Sequence, residues 1–416
     1  MIQMEDFFNY LRHSPTAVHA AAASAEMAEA AGGRELRLED PWDIEAGRLY
    51  YLRRGGFFAS FRTGKRVSWD SGFSICAAHT DSPALKLKYG AGKQSGAFLR
   101  VPVEQYGGAI LSSWLDRELS VAGTVATAGG SVSFVTAEPA ALIPNLAIHL
   151  NREVNEGYSY NRQEELQALF PGIDSLDGLI SRETGLDAET FLAADLYLFD
   201  PASPSAMGSF MSAGRIDNLA SCFAAVSALN DAPAGADPGR LVLLMDAEES
   251  GSRIVNGADS ILPLALLRRL VALAGGGEEE LQRTLARSFL ISADGAHAVH
   301  PNFASKHDPD FSPAVGGGPV VKIHAGYSYA TRAEGAGRFI TLCGECGVAY
   351  QRLIGRSDMK SGSTVGSILS AGLSVDGVDV GIPMLAMHSI RECADFGDLA
   401  GLHTVIARFF DHTEIA

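Results

Sequence analysis

Apolar runs that stop at a polar residue recur along this chain. Ile75-Cys-Ala-Ala-His79, Leu241-Val-Leu-Leu-Met-Asp-Ala-Glu248-Glu249, Phe289-Leu-Ile-Ser-Ala-Asp294 and Ile382-Pro-Met-Leu-Ala-Met-His388 each read as a short buried strand with chemistry at its carboxyl end. Helical spacing predicts helices over Phe7–Arg12 and Ala17–Ala31, the second an alanine-rich amphipathic surface helix. Alternation over Arg48–Arg53 and Phe57–Arg62, around Arg54-Gly55-Gly56, predicts a hairpin. A buried strand is expected at Phe73–Ala78. From about Tyr89 the texture changes. Phe98–Gln105, Ser120–Ala126 and Ser131–Thr136 read as strands joined by glycine turns, with no helices between them. After the loop-like Pro201-Ala-Ser-Pro-Ser205, helices are predicted over Asn218–Asn230, Pro263–Leu273, Leu281–Ser288, Ser363–Ala371 and Leu399–Phe410. They alternate with strands over Leu241–Met245, Phe289–Ser292 and Gly381–Met387, the last ending the strand series. The pattern predicts an α/β domain in two parts, residues 1–88 and 206–416, interrupted by a β-rich insert at residues 89–205.

Composition narrows the class. With 416 residues, 47% of them hydrophobic and 20% charged, the chain can bury a sizeable core. A net charge of −16 argues against a nucleic-acid partner. No apolar run reaches membrane-spanning length, and the N-terminus lacks the basic and apolar regions of a signal peptide. Five scattered cysteines do not form a disulfide framework, so the chain reads as cytoplasmic and reduced. Cys343 and Cys346 form a lone C-x-x-C with no second pair to complete a zinc site, and they read as small buried residues.

The chemistry lies in the residues that close the apolar runs, together with Asp217 in Gly214-Arg-Ile-Asp217-Asn. Each has an ordinary alternative. Asp217 could be a helix N-cap, Glu248-Glu249 a solvated acidic turn, and His388 a packed histidine. Taken together they are coherent. In an open α/β sheet, ligands bind beyond the carboxyl ends of the strands. Two histidines and four carboxylates are the wrong set for a closed structural zinc site. They suit two hydrolytic metal ions, each with one histidine and one private carboxylate, sharing Asp217. Of Glu248 and Glu249, one would ligate and the other act as general base. In extended backbone Asp81 falls on the same side as His79 and could accept its second ring proton. His297 and His300, just beyond Asp294, suit supporting or loop roles.

The chain also resembles the aspartyl aminopeptidase family of metalloaminopeptidases. The resemblance rests on His79-Thr-Asp-Ser-Pro83, Tyr106-Gly-Gly, Trp114-Leu-Asp-Arg117, Ile143-Pro-Asn-Leu-Ala-Ile-His149-Leu, Arg215-Ile-Asp-Asn-Leu219, Asp246-Ala-Glu-Glu-Ser-Gly-Ser252, Ser292-Ala-Asp-Gly-Ala-His-Ala-Val-His-Pro-Asn302 and Met387-His-Ser-Ile-Arg-Glu392. It implies a zinc-peptidase-like α/β/α catalytic domain with a mixed central sheet and an inserted dimerisation domain. It implies His79, Asp217, Glu249, Asp294 and His388 as ligands of two zinc ions, with Asp217 bridging and manganese or cobalt as substitutes. Glu248 would be the general base, Asp81 the partner of His79, and His149 a histidine lent across a dimer to the neighbouring active site. The assembly implied is a tetrahedral dodecamer, and the substrates are peptides with a free N-terminus. Acidic first residues are expected, with neutral ones as the runner-up. Ser250 and Gly326-Tyr327-Ser328 depart from the family's usual residues, the second near the substrate side. A small-amide deacetylase or amidohydrolase would use the same metal chemistry. A catalytically silent assembly protein on this fold would not need Glu248.

Overall fold

The computed structural model describes residues 2–233 and 239–412. Its central sheet has nine strands in the order Arg34–Glu35, Leu49–Arg54, Phe57–Arg62, Gly239–Met245, Phe73–His79, Phe289–Ala293, Asp376–Gly381, Val320–Ile323, Gln351–Ile354. The four from Gly239–Met245 to Asp376–Gly381 run parallel. Their flanking strands Phe57–Arg62 and Val320–Ile323 are antiparallel to them, so the sheet is mixed.

Side-chain alternation divides the core into two layers. Cys76, Ala78, Val242, Leu244 and Ile291 face one layer, with helices Ile216–Asp231, Ala333–Cys346 and Phe396–Asp411. Ile75, Ala77, Leu241, Leu243 and Leu290 face the other, with helices Leu262–Leu273 and Val365–Leu373. The architecture is therefore α/β/α. Helix Ala17–Ala30 departs from the expected surface helix. Ala20, Ala21, Ala23, Ala25 and Ala28 are buried, because side chains this small let the helix approach Ile216–Asp231 and the Leu49–Arg54 strand closely.

A second, antiparallel sheet is built from chain between Ala84 and Phe199. It contains the predicted strands, seen as Phe98–Tyr106, Ser120–Thr127 and Gly130–Val135, and adds Ala84–Leu87, Lys93–Ser95, Gln167–Pro171 and Phe191–Phe199. Its first strand lies ahead of Tyr89, and a helix, Leu176–Thr184, packs beside it where none was expected. A third sheet orders Ser205–Met207, Phe210–Ala213, Glu392–Asp395, Pro383–Leu385 and Ala296–His297. This corrects the reading of Gly381–Met387 as one strand. The central sheet takes Asp376–Gly381, and Pro383–Leu385 turns away into the small sheet. Asp294 N and Ala296 N bond to Val380 O and Ile382 O, which carries the chain across the change of sheet.

Candidate active site

Three central strands deliver the first polar residues side by side. Met245 pairs in register with His79, and Ser292 with Ala77, so the Asp246–Glu249 turn and Asp294 flank His79. Asp217 comes from the first turn of helix Ile216–Asp231. Its own backbone there is non-helical, with φ −80° and ψ 108°. His388 comes from the turn between Pro383–Leu385 and Glu392–Asp395.

The side chains converge on the two oxygens of Asp217. Oδ1 faces His79 Nε2 at 3.7 Å, and that nitrogen lies 3.3 Å from Asp294 Oδ1. Oδ2 faces His388 Nε2 at 3.4 Å, and that nitrogen lies 3.3 Å from Glu249 Oε1. Donors held about 2.1 Å from a tetrahedral cation sit about 3.4 Å from one another. Asp217 Oδ1 and Glu249 Oε1 are buried with no hydrogen-bond donor of acceptable geometry among the described residues. The two groups His79/Asp217/Asp294 and Asp217/Glu249/His388 are each compact enough to hold an ion, and His79 also lies close to Glu248 and Glu249. The residues present fit two divalent cations.

The electrostatics agree. Burial, then the charges of Asp294, Glu249 and Asp81, push Glu248 up to about 8, while His79 opposes them. Burial and the charge of Asp217 push Glu249 up to about 7 against the pull of His388. Burial works against a charged His388, yet Asp217 and Glu249 raise it to about 11. His79 is likewise held well above its ordinary range by Asp294 and Asp81 despite its burial. Carboxylates in excess thus borrow protons, and a bound cation would take the place of those protons.

Asp81 organises one flank. It is 3% exposed. Its Oδ1 accepts from Glu248 N at 3.0 Å, and Oδ2 from Glu249 N at 3.1 Å and Tyr106 Oη at 2.7 Å. His79 Nδ1 lies 3.0 Å from the main-chain carbonyl of Asp81 and 3.4 Å from its carboxylate. The main-chain carbonyl is therefore the nearer partner of the ring, an addition to the expected carboxylate. Burial opposes the charge on Asp81, but these donors hold it below the usual carboxylate range. Glycines let the chain pass over the site. A Cβ on Gly107 would lie 3.0 Å from Glu249 Cβ, and one on Gly108 3.0 Å from His388 Nδ1.

Two supporting residues escaped the sequence reading. Lys322, 2% exposed, donates to Asp294 Oδ2 at 3.0 Å and to Gly295 O at 2.9 Å. Glu392, 2% exposed, accepts from Asp217 N at 3.0 Å and His388 N at 2.8 Å. Burial first, then the charge of Asp217, pushes Glu392 up to about 8. A charge inside the apolar run Val320-Val-Lys-Ile323 was the available signal for the first. Among the other histidines, His300 accepts from Asn302 N in a loop, and His297 pairs with Met384 in the small sheet. His149 lies in an exposed turn and does not join the residues around Asp217. Cys343 is buried and Cys346 partly so, both as free thiols.

A donor set with one carboxylate split between two histidines, and a spare carboxylate beside it, suits a hydrolytic metal centre better than a structural one. Comparison with known proteins gives the family. The model of the Aminopeptidase I zinc metalloprotease (M18) family matches residues 10–410. The probable M18 family aminopeptidase 2 of Stutzerimonas stutzeri (strain A1501) is 42% identical over 429 residues, covering 99% of this chain and 98% of that protein. A chain from a cryo-EM structure of the Ape4 and Nbr1 complex superposes with a TM-score of 0.92 at 32% identity, covering 98% of this chain and 85% of that one. The S. cerevisiae mApe1 dodecamer shares the fold, with a TM-score of 0.84 at 24% identity over 98% of this chain and 96% of that one. The chain belongs to the M18 family of zinc metalloaminopeptidases, which includes the aspartyl aminopeptidases. No helix among the described residues is long and apolar enough to cross a membrane.

Proposed function

We propose that this aminopeptidase removes single N-terminal residues from peptides with two zinc ions per subunit. His79, Asp217 Oδ1 and Asp294 would hold one, and Asp217 Oδ2, Glu249 and His388 the other. Manganese or cobalt could stand in. The observation that carries this reading is the split of Asp217 between His79 at 3.7 Å and His388 at 3.4 Å. The ions would supply Lewis acidity for the scissile carbonyl and acidify the attacking water. Glu248 does the proton work. Its carboxylate receives a proton from that water and passes it to the leaving amine. Asp81 fixes the Glu248-Glu249 main chain and, through its carbonyl and carboxylate, the ring of His79.

Residues 89–205 are proposed as the self-association unit within a catalytic domain made of residues 1–88 and 206–416. Leu146, Ile148 and Leu150 flank His149 and are 56%, 47% and 74% exposed, a group suited to burial between subunits. His149 would then enter the neighbour's site and help hold the substrate carbonyl. The assembly proposed is a dimer-based dodecamer in the cytoplasm, where free thiols persist.

The substrate class proposed is peptides beginning with Asp or Glu. Preference for neutral residues is the second reading, favoured by Gly326-Tyr327-Ser328, where Tyr327 is exposed. The test is metal analysis together with hydrolysis of aminoacyl substrates bearing Asp, Glu, Leu or Lys, with an N-acetylated amino acid as control. Two ions per chain and fastest turnover of Asp or Glu are expected. Asp217→Ala should lose metal and activity together, and full metal occupancy in that variant would refute the bridging assignment. Turnover confined to the acetylated compound would point to a deacetylase.

A further inference from the structure

Glu392 joins two segments that the chain brings to the site from different directions. It opens strand Glu392–Asp395, which pairs with Phe210–Ala213 just ahead of Asp217. Each of its carboxylate oxygens takes one main-chain N–H, Oε2 that of Asp217 and Oε1 that of His388. The Asp217 N–H lies in the first turn of a helix, where such groups have no partner within the helix. His388 has φ +67°, a left-handed conformation that costs a non-glycine residue energy and persists only when its surroundings impose it. Its carbonyl is held by Ile110 N at 3.0 Å, so both sides of this backbone are anchored. The side chains of the two residues joined by Glu392 face each other at 3.4 Å.

We infer that Glu392 is a positioning residue that keeps Asp217 and His388 in register and thereby sets the affinity of the Asp217/Glu249/His388 half-site. The inference rests on the two-ion reading above. The other half-site has its own supports, Asp81 behind His79 and Lys322 behind Asp294. Glu392→Gln keeps the shape and one acceptor oxygen, and turns an N–H toward one of the two donors. Glu392→Leu removes both acceptors. Loss of such outer partners typically costs about 10–100-fold in metal affinity.

The test uses the full-length protein in its native assembly, stripped of metal and titrated with zinc against a competing chelator. In Glu392→Gln, one of the two binding steps should weaken about 10–100-fold, while the other, which shares Asp217 but keeps its own supports, should weaken clearly less. Glu392→Leu should weaken the same step at least as much. Raising free zinc should restore kcat in Glu392→Gln, which a general packing defect would not allow. Should the leucine variant fail to fold, the near-isosteric glutamine variant carries the test. Wild-type affinity at both steps in Glu392→Gln would overturn the inference. So would equal weakening of both, or lost activity with both ions bound. Failure of the wild-type protein to bind two ions would instead refute the underlying site reading.

Discussion

Replacing Asp81 by asparagine isolates the scaffolding of the site from its ligands. Three donors hydrogen-bond the two carboxylate oxygens of Asp81, Glu248 N, Glu249 N and Tyr106 Oη, and His79 Nδ1, bonded to the Asp81 main-chain carbonyl, lies 3.4 Å from Oδ1. Asparagine offers one acceptor oxygen and one NH₂. The Tyr106 hydroxyl can turn round and accept from that NH₂, since a phenol both donates and accepts. Glu249 N cannot reverse. With the amide nitrogen on the Tyr106 side, Glu249 N loses its acceptor in a part-buried place. An unsatisfied buried group costs about 1–3 kcal/mol, and the surviving bonds lose the strength that charge confers, about 1 kcal/mol more. Asp81→Asn should therefore lower unfolding stability by about 2–4 kcal/mol. It should also weaken metal held through His79 about 10–100-fold. Urea unfolding of the metal-stripped protein measures the first, and chelator competition the second. Stability within about 0.5 kcal/mol of wild type, the scatter of ordinary surface substitutions, would refute the reasoning, and so would unchanged metal affinity.

Further outcomes follow from other residues. Glu248→Gln should keep both ions and lose about 10²–10⁴-fold in kcat, and near-normal turnover would refute its role as base. His149→Ala should lower kcat/KM by about 10²–10³-fold with metal content unchanged. Mixing it with Glu248→Gln under confirmed subunit exchange should restore some activity, because mixed dimers would contain one intact composite site, and no restoration would place His149 within its own subunit. His19, hydrogen-bonded to Thr16, is lowered by burial to about 4. Between about pH 6.5 and 4 the unfolded chain then binds the extra proton, so this contribution is complete above pH 6.5 and lost as pH falls toward 4. Thermal unfolding of His19→Gln should accordingly lose less stability than wild type across that window, and parallel curves would count against it.

Much of the site was legible because it is written locally. His79, Glu248-Glu249 and Asp294 each close an apolar run, and parallel pairing in register sets those ends together. His388 reads the same way along the chain but arrives by another route, through the small sheet. The supports were not legible. Lys322 meets Asp294 across 28 positions and Glu392 meets Asp217 across 175, distances over which periodicity carries no information. The missed helix Ala333–Cys346 contains Gly335, Gly337 and Gly344, a composition that lowers helix propensity, and packing of Phe339 and Leu342 into the core overrides it. Strand Phe191–Phe199 was obscured because Leu192 and Ala193 are exposed at one end, which blurs the alternation.

Ser82 lies just past Asp81, and its hydroxyl donates to the carbonyl of Asp217, 135 positions later. Between them the chain builds the second sheet and then strands Ser205–Met207 and Phe210–Ala213 of the third. The chain thus returns, at the start of helix Ile216–Asp231, beside the point where it left the central sheet, and the neck of that excursion lies at the proposed metal site. A cation shared by His79 and Asp217 would act as a clasp on this neck. It would close a loop whose ends otherwise meet at the full entropic cost of bringing distant chain together. Metal loading would then be a late event in folding, possible only after the excursion has returned, and an ill-formed second sheet would leave the protein without a place to hold its ions.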